Sequence, residues 1–211
     1  YGDHRDLPSS PTRRSSDLTA IWTTFGERTA SDMTVFLSGG CKNGKSTLAE
    51  QIAVYLSRPG RLYYLATMIP HDDEDRARIA RHVASRSGLG FQTIECGLSL
   101  QAALRDADVE GSYLLDSVTA LLSNEMFRPD GSVDLTAPER VARELTALAR
   151  RMKSMVFVSD YIYSDALLYG DLTEEYRRGL AHIDRALAAA CDTVAEISFG
   201  GCIVYKGELP V

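Results

Sequence analysis

The chain is read as an α/β protein of the P-loop NTPase-like type, with a mostly parallel sheet covered by helices on both faces. Three observations carry that expectation. Gly39-Gly40-Cys41-Lys42-Asn43-Gly44-Lys45-Ser46 fits the spacing G-x-x-x-x-G-K-[ST] of a phosphate-binding loop. It is preceded by an apolar run, Val35-Phe36-Leu37, and followed by Leu48, Ile52 and Leu56 at helical spacing. Downstream, short apolar runs alternate with longer amphipathic stretches, the pattern of strands crossed over by helices.

Each part of the loop has a chemical reason. Gly39 and Gly44 let the backbone turn tightly and bring N–H groups against phosphate oxygens. The helix opening at Ser46 adds the positive end of its dipole. Lys45 reaches the β- and γ-phosphates, and Ser46 or Thr47 supplies a hydroxyl to Mg²⁺. The expected ligand is a nucleoside triphosphate, GTP or ATP.

Composition is consistent with one sizeable core. The 211 residues are 45% hydrophobic, and the formal charge of −6 argues against a general nucleic-acid surface. No apolar run is long enough to span a bilayer. The four cysteines (Cys41, Cys96, Cys191 and Cys202) are scattered without C-x-x-C spacing, so reduced thiols are expected rather than zinc or disulfides. Without a secretory signal, a cytoplasmic location is expected.

The leader, residues 1–32, is rich in Ser, Thr, Arg, Asp and Pro and lacks apolar periodicity, so disorder is expected there. Pro11-Thr12-Arg13-Arg14-Ser15-Ser16-Asp17-Leu18 also resembles the translation of a short-read sequencing adapter, which would put the natural start at Met33 and a single domain over 33–211. The other reading is a genuine basic or targeting tail.

Pro59-Gly60 marks a turn before a second strand, Arg61 to Ala66. A charged helix follows from about Asp72 to Arg86. Glu74, Arg78, His82 and Arg86 recur every four residues and form one stripe, with Ile79, Ala80, Val83 and Ala84 as a weaker apolar face. The stripe reads either as a solvated salt-bridge ladder or as a phosphate-facing row in which arginines hold oxygens and an imidazole attacks. Phe91 to Cys96 is a short extended piece, and Leu98 to Ala107 is expected to be helical. Ser112-Tyr113-Leu114-Leu115-Asp116 is an apolar strand ending in a carboxylate, the form of a metal-facing acid at the carboxyl edge of a sheet.

Ser117 to Phe127 and Thr136 to Met152 read as helices, the second with Val141, Leu145 and Leu148 inward. Met155 to Val158 is a strand. After it, Asp160 is either a working carboxylate or a strand-end cap. Thr173 to Cys191 is a long helix. Two strands joined at Gly200-Gly201 close the chain, and an antiparallel edge is expected there.

From Met33 onward the chain resembles the bifunctional adenosylcobinamide kinase and adenosylcobinamide-phosphate guanylyltransferase family of cobalamin biosynthesis. The resemblance lies in the phosphate loop, Ala66-Thr67, the acidic run Asp72 to Asp75, and Arg78-Ile79, His82 and Arg86 at Arg-Ile-x-x-His-x-x-x-Arg spacing. Thr93-Ile94-Glu95-Cys96, Leu114-Leu115-Asp116-Ser117 and Asn124 extend it.

The resemblance implies that His82 takes GMP from GTP as a covalent adduct. It also implies that Ala66, Thr67, Met68, Val83, Ala84, Ser85, Arg86, Glu95 and Asp116 line the nucleotide site, with Asp116 beside the metal. The adduct would pass GMP to adenosylcobinamide phosphate, itself made from adenosylcobinamide in a kinase step. A homo-oligomer is implied, with a trimer as the suggested form.

The chain departs from the family pattern at Ser159-Asp160-Tyr161-Ile162, where an Asn-Glu-Val-Gly-like segment is usual. It departs again at Ala181, Asp184 and Arg185, where a glycine and an amide pair are usual. A small kinase for another hydroxyl substrate, or a nucleotide-binding regulator, are the other readings of the same residues.

Overall fold

Val35 and Leu37 are fully buried, and Phe36 nearly so, because their strand runs through the middle of a seven-stranded sheet. The computed structural model describes residues 32–57 and 61–210. The expected Pro59-Gly60 turn, and the leader apart from Asp32, lie outside the described residues. The elements in chain order are β1 (Met33–Gly39), α1 (Lys45–Leu56), β2 (Leu62–Ala66), α2 (Asp73–Ser85), β3 (Gln92–Glu95), α3 (Leu100–Ala103) and β4 (Ser112–Asp116). Then come α4 (Val118–Met126), α5 (Ala137–Arg151), β5 (Ser154–Asp160), α6 (Asp171–Ala190), β6 (Thr193–Ser198) and β7 (Gly201–Lys206).

The strand order is β3-β2-β4-β5-β1-β6-β7, parallel throughout except for the antiparallel β6–β7 pair at one edge. Successive strand residues point to opposite faces, and two cores result. Phe36, Leu65, Tyr113, Leu115, Met155 and Phe157 pack beneath α4, α5 and α6. Val35, Leu37, Tyr64, Leu114, Val156 and Val158 pack beneath Ala49, Ile52, Ala53 and Leu56 of α1. The fold is therefore the expected mostly parallel α/β sheet with helices on both faces.

Three details shape the site. The helix expected over Leu98 to Ala107 shrinks to α3. Leu100 and Leu104 satisfy the core with a single turn, and Asp108 then accepts the Glu110 N–H at 3.1 Å in a side-chain turn. Gly179 on α6 has Pro138 of α5 against it, so the two helices approach closely where a larger residue would not fit. Most consequential is α2, which buries none of its residues. The weak apolar face expected on it does not enter either core, and Val83 is 54% exposed.

Candidate nucleotide and transfer site

The phosphate loop is built by its two flanking strands. Gly39 lies between Asp160 of β5 and Ile197 of β6 in register. A side chain there would run into the Ile197 carbonyl and Asn43, so the position admits only glycine. Asn43 pins the loop to β6 by donating its amide to the Ile197 carbonyl. Gly44 takes φ 93° as the residue before α1, a left-handed geometry that a side chain would strain. The first helical bond runs from Leu48 N–H to Gly44 O at 3.1 Å. The N–H groups before it carry the positive end of the helix dipole toward the cleft.

Lys45 is only 5% exposed. Its Nζ donates to Gly40 O at 2.6 Å, Asn43 Oδ1 at 3.3 Å and Asp160 Oδ1 at 2.7 Å. Asp160 is therefore the ion-pair partner of the loop lysine, and not a simple strand-end cap. Its own backbone N–H donates to Thr119 Oγ1 at 2.8 Å, which fixes the end of β5.

A cleft of roughly 400 Å³ opens at the carboxyl ends of β2, β3, β4 and β5, within the size range of ligand pockets. Cys41, Lys42, Asn43, Gly44, Lys45, Ser46 and Thr47 form one wall. Ala66, Met68, Glu95 and Asp116 line the strand ends, and His82 and Val83 of α2, with Arg86 just past its end, face them. The expected residues thus converge from five separate stretches of chain.

Five expected residues sit elsewhere. Gly39 and Gly40 lie outside the cleft lining, at the base of the loop. Thr67 is fully buried, its hydroxyl donating to Ser117 O at 2.9 Å and accepting from Ser117 N–H at 2.7 Å, so it clamps the ends of β2 and β4. Ala84 and Ser85 are exposed outside the lining, and Ser85 donates its hydroxyl to His82 O at 2.9 Å. Asn124 acts from below, donating to Thr67 O at 2.7 Å and Gly97 O at 3.0 Å.

The stripe on α2 faces inward. Glu74, Arg78, His82 and Arg86 all line the cleft, joined by Arg81. Among the described residues, the ion pair on this helix joins Arg76 and Asp73, off the stripe. Among the residues that the sequence did not single out for the site, Tyr64, Thr93, Ser117, Ala120 and Val158 also line it. Tyr64 donates its hydroxyl to Asp116 Oδ2 at 3.2 Å. Burial and the neighbouring Asp116 charge hold the Tyr64 hydroxyl far above the usual phenol range, so it remains a donor. No signal in the sequence marked Tyr64, since its alternating position in β2 is that of an ordinary core residue.

The donor set suits a hard cation that keeps phosphate and water ligands. Ser46 and Asp116 both line the cleft with oxygen atoms. Among the described residues there is no cluster of three or more His, Cys, Asp or Glu side chains of the sort that holds a metal by protein alone. Mg²⁺ bound through one or two protein oxygens and a triphosphate fits that arrangement. Among the described residues no helix is long and apolar enough to cross a membrane.

Solved structures with a similar arrangement exist at low identity. The Project ID PH0250 protein of Pyrococcus horikoshii OT3 gives a TM-score of 0.48 at 11% identity, over 90% of this chain and 91% of that one. The KaiC-like protein PH0186 of the same organism gives 0.47 at 13%, over 84% and 80%. The flagellar accessory protein FlaH of Methanocaldococcus jannaschii gives 0.38 at 12%, over 85% and 80%. These scores are low, and the fold stands on the chain's own sheet order. No curated protein matches the chain. The profile described as cobinamide kinase / cobinamide phosphate guanyltransferase, by contrast, matches residues 35–204. That span takes in the loop, the α2 stripe and the Asp116 strand end together, and the chain belongs to this family of kinases and guanyltransferases.

Proposed function

We propose that this chain phosphorylates adenosylcobinamide and then transfers GMP from GTP to adenosylcobinamide phosphate through a covalent His82–GMP adduct. The observation that carries the reading is that His82, Lys45 and Asp116, far apart in sequence, line one cleft. Family membership supplies the substrate class.

In the transfer half, the lone pair of the unprotonated imidazole nitrogen attacks the α-phosphorus of GTP. The bond from that phosphorus to the bridging oxygen breaks, and pyrophosphate leaves with the electron pair. A phosphate oxygen of adenosylcobinamide phosphate then attacks the same phosphorus. The N–P bond breaks, His82 regains its lone pair, and adenosylcobinamide-GDP is released. Lys45, the N–H groups of the loop, Arg78 and Arg81 hold the phosphate oxygens in place and oppose their charge. In the kinase half, the same loop presents the γ-phosphate of a nucleoside triphosphate to the acceptor hydroxyl. Mg²⁺, held by Ser46 and Asp116, would neutralise phosphate charge when bound.

The test is incubation of the protein with α-³²P-labelled GTP and Mg²⁺, followed by a denaturing gel. An acid-labile, alkali-stable label is expected in the wild type and absent from His82→Ala, while His82→Ala keeps phosphorylation of adenosylcobinamide. Lys45→Ala is expected to lose both activities. Guanylyl transfer that persists in His82→Ala would overturn the covalent route.

A further inference from the structure

The helix that carries His82 is held to the rest of the domain in an unusual way. With no residue of α2 buried, hydrophobic packing contributes little to its position. Its attachment comes one turn after His82, at Arg86. This side chain turns inward and is 7% exposed. Its guanidinium carbon lies 3.4 Å from the centroid of the Tyr64 ring, and its charge acts on the carboxylate of Glu50, a residue of α1 that is itself 5% exposed. The Arg86 N–H meanwhile closes the last turn on His82 O at 3.3 Å. Tyr64 is fixed in turn by its hydrogen bond to Asp116. A continuous set of contacts therefore runs from the backbone of His82, through Arg86 and Tyr64, to the carboxylate proposed to hold the metal.

We propose that Arg86 is a positioning residue, which docks α2 on the Tyr64 ring so that His82 faces the α-phosphorus. Three physical points favour this assignment. A planar guanidinium stacked on a ring gains a cation–π attraction that strengthens when water is excluded. Glu50, buried on α1, attracts the same guanidinium charge, so a phosphate would have to compete with it to hold Arg86. The cleft also has other cations for a phosphate in Lys45, Arg78 and Arg81. The effect on catalysis rests on the proposed role of His82, whereas the docking role does not.

The experiment uses the full chain and reads three quantities: amide hydrogen exchange over Asp73–Ser85, the GTP dissociation constant by calorimetry, and the rate of GMP labelling at saturating GTP. Lysine keeps the charge but lacks the planar fork that stacks on a ring. Arg86→Lys is therefore expected to speed exchange in α2 but not in β1 or β4. It should slow labelling by about tenfold or more and change the GTP dissociation constant by less than about threefold. Tyr64→Leu should also speed α2 exchange, whereas Tyr64→Phe, which keeps the ring, should not. Should Arg86→Lys fail to fold, the double variant Arg86→Met/Glu50→Leu removes both buried charges and is expected to give the same fast α2 exchange.

A dissociation constant raised by about tenfold or more, with α2 exchange and saturated labelling unchanged, would make Arg86 a phosphate ligand and overturn the proposal. Absence of label in the wild type would count against the His82 reading alone. The exchange data would then decide the docking role, which fails if neither Arg86→Lys nor Tyr64→Leu loosens α2.

Discussion

Lys45 shows how one residue can be poised by its surroundings. Its ammonium is surrounded by Gly40 O, Asn43 Oδ1 and Asp160 Oδ1, and the last of these is a full negative charge at 2.7 Å. A triphosphate competes with Asp160 for this lysine. Asp160→Asn is therefore expected to tighten Mg²⁺-free GTP binding by about tenfold, the equivalent of roughly 1.4 kcal/mol. Calorimetry in the presence of a chelator checks this, and weaker binding would assign Asp160 a direct part in holding the nucleotide.

A second residue-scale case is Asp184, at a position where the family pattern has an amide. It is buried on α6 and accepts hydroxyl hydrogen bonds at Oδ2 from Tyr163 at 2.8 Å and Ser159 at 3.1 Å, while Oδ1 is buried without a hydrogen-bond partner. Burial pushes its carboxyl up to about 6 from the ordinary 3.8, against the pull of its hydroxyl donors. The folded state then holds its proton more tightly than the unfolded chain does. The stabilisation is complete below pH 3.8 and is lost as pH rises through about 6, a fall of roughly 3 kcal/mol. Asp184→Asn should flatten that slope in urea titrations run across this range, and an unchanged slope would mean that Asp184 is not its source.

At the scale of elements, α2 and the core helices depend on different forces. α5 and α6 bury long apolar faces, including Leu145, Leu148, Leu180, Ile183 and Leu187. α2 depends on local terms. Asp72 caps it by accepting the Asp75 N–H at 2.8 Å, and Asp73, Glu74 and Asp75 place negative charge at its positive end. Removing that cap costs about 1 kcal/mol in a helix. Asp72→Ala is expected to speed α2 exchange by about fivefold, with the global unfolding midpoint almost unmoved. A matching loss of global stability would show that α2 is coupled to the core after all.

For the whole molecule, stability resides in the sheet and its two cores, and the cleft depends on that frame. Phe157, fully buried on the central strand β5, packs beneath α4, α5 and α6 three residues before Asp160. Phe157→Ala should cost about 3–5 kcal/mol in urea unfolding, from lost transfer energy and the cavity left behind. A loss near zero would mean that the core collapses around the gap.

What the sequence determined by itself was whatever is local. The spacing of Gly39, Gly44 and Lys45 specifies the loop, because backbone geometry and one lysine are all that a phosphate cradle requires. Apolar periodicity specified most strands and helices, since burial demands it. It overreached at Leu98 to Ala107, where two leucines one turn apart were enough for the core. The Arg-Ile-x-x-His-x-x-x-Arg spacing marked α2, but the direction it faces was decided by tertiary structure, because a solvated stripe and a cleft-facing stripe have the same periodicity. Placing β5 between β4 and β1 made Asp160 the partner of Lys45 and left Asp116 to meet the cleft beside Tyr64. The same strand order turned Thr67 into a clamp between β2 and β4. These contacts join stretches distant in the chain, and only the order in which the strands pair brings them together.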